Sequence, residues 1–246
     1  MKKLAVIPAR YASMRFPGKL MHLLDGKSVI ATTYENTVAT NLFDEVLVVT
    51  DSEIIFKEVE QYGAKVTMSK KQHESGSDRI AEAIENMDCD VVLNVQGDEP
   101  FVNKKMLKEL LSAFDDSNVQ VASLMSIIYE QPDIESASNA KVVVDKNSDA
   151  LYFSRAAIPF IRDAGTSATF YNHIGVYAYK KNALLQFTKW EQTPLEKIEK
   201  LEQLRYLEHG VKIRMIVTDQ SSIGIDTPED LEVAREFLSQ QQKEQA

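Results

Sequence analysis

Three cations fall within ten residues near the start of the chain. They are Arg10, Arg15 and Lys19, in the stretch Pro8-Ala9-Arg10-Tyr11-Ala12-Ser13-Met14-Arg15-Phe16-Pro17-Gly18-Lys19. The apolar run at residues 4–7 reads as a buried strand. The loop therefore leaves a strand's carboxyl end, where open α/β sheets bind ligands. Cations there, with Ser13 and Gly18 allowing close backbone approach, suit a polyphosphate. The spacing is not that of a Walker P-loop, and an ordinary solvated basic loop fits the same residues.

Carboxylates form the second group. Residues 91–95 read as another buried strand, broken by Gly97-Asp98-Glu99-Pro100. Asp98 at that strand end is placed to hold Mg²⁺, a hard cation that takes oxygen ligands. Gln96 could read a ligand hydroxyl or amide, and an exposed turn is the plain alternative. Asp226, in Gly224-Ile225-Asp226-Thr227-Pro228, precedes a helix start, where the dipole alone would favour a carboxylate. Paired with Asp98, it offers a second metal ligand. Glu202 falls in a helix expected over 194–209, opened by Thr193-Pro194-Leu195-Glu196 and stopped by Gly210. Counted from Leu195, it lies at about 340°, close to Ile198 at about 300°, on the apolar face. An unpaired carboxylate is costly there, so a partner such as Arg155 or a polar ligand is expected. Gln203 lies about 100° away from it.

Arg155 ends a strand, and its fork suits a sugar carboxylate. His173 precedes a strand, although a lone histidine is more often structural. Ser75, Gly76 and Arg79 stand around the start of a helix over about 78–87 capped by Ser77, and could contact a base; a cap with a surface arginine is the alternative.

The elements that must position these residues alternate. Strands at 4–7, 46–49, 65–68 and 91–95 alternate with helices near 29–40, 52–62 and 103–114. This predicts an α/β fold, a mostly parallel sheet with helices on both faces. After residue 126 the pattern turns β-rich. Runs at 140–145 and 149–154 flank Asp145-Lys146-Asn147-Ser148 as a hairpin, and a further strand follows at 176–179. We expect one domain over 1–246 with an inserted lobe at about 127–190.

The 246 residues carry a net charge of -9, which argues against nucleic acid as a partner. With Cys89 the only cysteine, no intramolecular disulfide is possible. The apolar run at 4–7 is too short for a signal core or a membrane span, so a cytoplasmic protein without membrane insertion is expected.

Taken together and in order, these stretches resemble the 3-deoxy-manno-octulosonate cytidylyltransferases, or CMP-Kdo synthetases. The matching segments are IPARYASMRFPGK (7–19), SGSDRIAEA (75–83), NVQGDEP (94–100), KVVVD…ALYFSRAAIPF (141–160), NHIGVYAY (172–179), PLEKIEKLEQLRYLEHG (194–210) and GIDTPEDLE (224–232). The resemblance runs nearly end to end. It implies a Rossmann-like nucleotide-diphospho-sugar transferase fold, a homodimer to which the lobe contributes, and transfer of CMP from CTP to Kdo for lipopolysaccharide synthesis. By that resemblance Arg10, Ser13, Arg15 and Lys19 hold the CTP phosphates. Ser75, Gly76 and Arg79 hold the cytosine end, with Gln96 also on the nucleotide. Asp98 and Asp226 bind Mg²⁺ and, with Arg15 and Lys19, carry the catalysis. Gln96, Arg155, His173, Tyr177, Glu202 and Gln203 form the sugar-acid site.

Two departures stand out: Ser77-Asp78 where many members carry Thr-Glu, and a short linker at 162–171. A subgroup acting on 8-amino-Kdo carries Gln after the QGD aspartate. Glu99 stands here, which favours Kdo itself. The residues alone also leave open another sugar acid, or a nucleotide-binding regulator without turnover, which would need the phosphate loop but not both carboxylates.

Overall fold

The computed structural model describes residues 1–13, 16–73, 75–163, 165–220 and 224–245, with side chains through Gln240. The chain forms two compact units, Met1–Lys104 with Ser221–Ala246, and Lys105–Gln220.

The first unit is built on strands β1 (Lys3–Ala9), β4 (Glu45–Thr50), β5 (Lys65–Met68) and β6 (Val91–Asn94). They run parallel in the order β6-β1-β4-β5. A small hairpin, β2 (Leu23–Leu24) and β3 (Lys27–Ser28), follows the basic loop. Helices α1 (Val29–Ala39), α2 (Glu53–Glu60) and α3 (Gly76–Ile84) connect the strands. Val6, Ile7, Val48, Val92 and Leu93 are completely buried, which accounts for their unbroken apolar runs. Ser28 and Ser52 cap α1 and α2 through their hydroxyls. The cap of α3 is Ser75, whose Oγ accepts from the N–H of Asp78 at 3.1 Å, not Ser77. The helix therefore starts two residues earlier than expected and takes in Gly76.

The second unit opens with α4 (Lys104–Ser112) and β7 (Val121–Ile128), then α5 (Gln131–Glu135). Next come β8 (Lys141–Val144) and β9 (Ala150–Ser154), the expected hairpin, and β10 (Phe170–Lys180), longer than the strand read from sequence. Helices α6 (Lys181–Phe187), α7 (Pro194–Glu199) and α8 (Leu204–Glu208) lead to β11 (Ile213–Val217). β10 is antiparallel to β7 and β8, while β11 is parallel to β7. The first unit is completed by α9 (Pro228–Gln245). No described helix is long and apolar enough to cross a membrane.

The helix expected over 194–209 is two helices. Lys200 adopts a left-handed conformation (φ 54°), ending α7. The helical-wheel angle computed for Glu202 therefore does not apply. Arg205 spans the break: its Nε and Nη2 reach the Glu196 carboxylate at 2.7 and 2.5 Å, both groups being buried. The same guanidinium lies 4.2 Å from the centroid of the Phe187 ring. A bidentate, stacked arginine is a rigid clamp that lysine could not reproduce.

Candidate active site

In the first unit, a cavity of about 180 Å³ opens at the carboxyl ends of the strands. Arg10, Lys19, His73, Ser75, Gly76, Arg79, Gln96 and Asp98 line it. The site begins with two glycines. Gly18 takes a positive φ (65°), which starts the short turn carrying Lys19. Gly97 sits so close to β1 that a Cβ would lie 3.1 Å from the carbonyl oxygen of Pro8 and 3.2 Å from Ile30 Cδ1. A side chain there would force the Pro8 carbonyl or Ile30 to give way.

Lys19 is the centre of this site. Its ammonium bonds to Asp98 and, at 2.8 Å, to Oδ1 of Asp226. Lys19 is 13% exposed, Asp98 26% and Asp226 49%. Burial pulls the Lys19 pKa down, but the two carboxylates outweigh it and hold it above the ordinary lysine value. The carboxylates come together because the Ile225 N–H donates to the Asp98 carbonyl at 2.9 Å. Asp226 is spared the duty of capping α9. Asp230 accepts from the N–H groups of Asp226 and Thr227 at 3.0 and 2.8 Å, and Thr227 Oγ1 accepts from the Asp230 N–H. The Asp226 carboxylate is thus left for Lys19.

Two oxygen donors converging on one ammonium fit a hard divalent cation. Among the described residues, no cluster of three or more His, Cys, Asp or Glu side chains is arranged to hold a metal. A metal on Asp98 and Asp226 would complete its shell from phosphate oxygens and water.

Arg79 is buried, donating to the Ala9 carbonyl at 2.6 Å and to Asp51. Its Nε has no partner among the described residues. His73 meets Glu82 at 2.8 Å. Ser13 Oγ accepts from the Phe16 N–H at 3.4 Å, and Arg10 is exposed. Arg15 lies outside the described residues. Asp51 and His73 were not singled out in the sequence, because their roles depend on contacts 28 and 9 residues away.

In the second unit, a bulge in β10 gathers His173 and Tyr177. The register with β7 skips between Ile174, opposite Leu124, and Tyr177, opposite Ser123. On a regular strand, residues four apart are separated by about 13 Å. The bulge instead brings Tyr177 OH within 2.8 Å of His173 Nε2. Ser123 Oγ props the bulge, lying 3.0–3.1 Å from the Ile174 and Val176 carbonyls and from His173 Nε2. Desolvation lowers the His173 pKa to about 4, so the imidazole is neutral at pH 7. Desolvation, then the charge of Glu202, raises the Tyr177 pKa well above its ordinary value.

Arg155 does not present an open fork. Its Nε, Nη1 and Nη2 donate to the carbonyls of Glu199, Ala137 and Lys200 at 2.9, 2.9 and 3.4 Å. The Glu199 carboxylate accepts from the Arg155 N–H at 3.0 Å and from Ser154 Oγ at 2.7 Å. Lys141, fully buried, donates to the carbonyls of Ser136, Asn139 and Arg155. This network fixes the end of α7, after which Glu202 and Gln203 follow. Gln203 is 7% exposed, and its Nε2 has no partner among the described residues.

A family model for cytidylyltransferases matches residues 4–213. Among curated relatives, 3-deoxy-manno-octulosonate cytidylyltransferase of Christiangramia forsetii is 54% identical, covering 96% of both chains. The enzyme of the same name from Flavobacterium johnsoniae is also 54% identical, over 97% of this chain and 99% of its own. Among solved structures, CMP:2-keto-3-deoxy-manno-octonic acid synthetase complexed with CTP superposes with a TM-score of 0.93. It is 37% identical and covers 98% of this chain and 100% of its own. The 4-diphosphocytidyl-2C-methyl-D-erythritol synthase of Anaerococcus prevotii, at 16% identity and a TM-score of 0.64, shares the fold. With an α/β nucleotidyltransferase fold and near-complete matches of this kind, the chain belongs to the 3-deoxy-manno-octulosonate cytidylyltransferase family.

Proposed function

We propose that this protein transfers CMP from CTP to the anomeric hydroxyl of Kdo, giving CMP-Kdo and pyrophosphate, with Mg²⁺ held by Asp98 and Asp226. The observation that carries the site assignment is the convergence of those two carboxylates on Lys19 beside a cavity lined by Arg10, Ser75, Gly76 and Arg79. The sugar hydroxyl oxygen bonds to the α-phosphorus, the bond from that phosphorus to the β-phosphate oxygen breaks, and the hydroxyl proton passes to solvent. Bound Mg²⁺ would supply charge neutralisation and acidify the attacking hydroxyl.

The protein's own part is positioning and electrostatics. Arg10, Ser13, Arg15 and Lys19 hold the phosphates, with Arg15 and Lys19 neutralising charge that grows on the leaving group. Arg79, Ser75, Gly76 and Gln96 line the cavity that would take the nucleotide. His173, Tyr177, Glu202 and Gln203 of the second unit bind the sugar acid. Arg155 serves that set by holding the turn after α7.

The lobe at about 127–190 carries exposed Tyr129, Leu151 and Phe160, consistent with a homodimer interface. Since the reaction consumes CTP, the cytoplasm is the compartment implied, and the product would serve lipopolysaccharide synthesis.

Competition among Kdo, 8-amino-Kdo and a sialic acid, with CTP and Mg²⁺, tests the substrate. Preferential formation of CMP-Kdo is expected. Preferential use of another acid would overturn the substrate while keeping the chemistry.

A further inference from the structure

We propose that the Tyr206 hydroxyl is an additional substrate-contacting group that hydrogen-bonds a hydroxyl of the bound sugar acid. Tyr206 is 2% exposed, yet its OH has no hydrogen-bond partner among the described residues. A buried phenol normally finds one, because leaving it unmade forfeits the interaction with water. The ring is not free to turn in search of it. It stacks on Phe187 at 4.3 Å and packs against Tyr179 and Trp190, both at 6.1 Å between centroids. The hydroxyl is therefore aimed by the core.

What it faces is informative. Desolvation, then Glu202, then Tyr177, raise the Tyr206 pKa well above the ordinary phenol value. The phenol thus stays protonated and shares its surroundings with two residues of the proposed sugar-acid site. Gln203, three positions earlier, carries a second buried donor without a partner. Two unsatisfied groups close together in sequence, each more than nine-tenths buried, are costly in the free protein and gain a partner when a polar ligand arrives. The negative field of Glu202 disfavours an anionic group here. The partner is therefore a neutral hydroxyl of the sugar, not its carboxylate.

In sequence Tyr206 gives no sign of this. It sits among Leu204, Arg205 and Leu207 and reads as a core aromatic. The inference rests on the sugar-acid reading above, and the test separates the two.

Tyr206→Phe removes one oxygen and leaves the aromatic stack intact. We expect the melting temperature of the free protein to stay the same or rise, since an unpaired buried hydroxyl is lost. The KM for Kdo should rise about three- to tenfold, the worth of one hydrogen bond. The KM for CTP should not change, and the thermal stabilisation produced by Kdo should shrink. An unchanged KM and an unchanged Kdo-induced shift would overturn the proposal, as would a lower melting temperature or loss of fold, which would mean that the hydroxyl has a structural partner. If the wild type uses a different sugar acid, the substrate reading fails, and the same comparison run with that acid still decides the role of Tyr206.

Discussion

The two proposed ligand sites differ in how their polar groups are paired. In the first, charges are paired within the protein: Lys19 with Asp98 and Asp226, and Arg79 with Asp51. In the second, a neutral His173 and protonated Tyr177 and Tyr206 stand around the charge of Glu202, and atoms of Gln203 and Tyr206 have no partner among the described residues. The difference follows from the ligands each is proposed to hold. A polyphosphate and its metal bring full charges, and the bare carboxylates would repel each other without an internal counter-ion. A polyol brings hydroxyls. Buried donors that wait for it give specificity, because an analogue lacking the right hydroxyl leaves them unpaired.

The comparison is broken most severely at Asp98. Asp98→Asn keeps the shape but removes a charge from the proposed metal site, and pyrophosphate release should fall about a thousandfold. The thermal transition should remain cooperative, and near-normal turnover at limiting Mg²⁺ would contradict the metal assignment. Lys19→Ala should cost about a hundredfold in kcat. It also leaves Asp98 and Asp226 facing one another without the ammonium, so the free protein's melting temperature should become more dependent on Mg²⁺. A change confined to the KM for CTP would reduce Lys19 to substrate holding.

The smallest effect sharpens the neutral side. The folded pKa of His173 lies below that of an exposed histidine, so the unfolded chain binds the proton first as pH falls. Its contribution to stability is complete above about pH 6.5 and is lost progressively down to about pH 4, at no more than about 1.4 kcal/mol per pH unit. Thermal unfolding across that range should show the loss, and His173→Gln should flatten it. An equal slope in the variant would assign the acid sensitivity to other groups.

Much of the first unit was legible in the sequence. Fully buried parallel strands leave unbroken apolar runs. Asp98 and Asp226 could be paired because each stands at the end of an element. Lys19 between them could not be seen, since its position depends on a contact 207 residues distant in the chain.

The second unit was less legible, because its decisive features are irregularities. The left-handed Lys200 interrupts a sequence with good helix signals, the Arg205–Glu196 clamp closing the gap. The bulge that joins His173 to Tyr177 depends on Ser123 across the sheet. Arg155 was correctly placed at a strand end, but its fork turns to backbone carbonyls of two other segments, at Ala137 and at Glu199–Lys200.

The most direct test of the account is the initial rate of pyrophosphate release from CTP and Kdo by the wild-type protein as Mg²⁺ is titrated from zero. Release that is absent in chelator and rises to saturation with Mg²⁺, matched mole for mole by CMP-Kdo, is the predicted result. Full turnover in the presence of chelator, or no release at any Mg²⁺ concentration from folded protein, would contradict it.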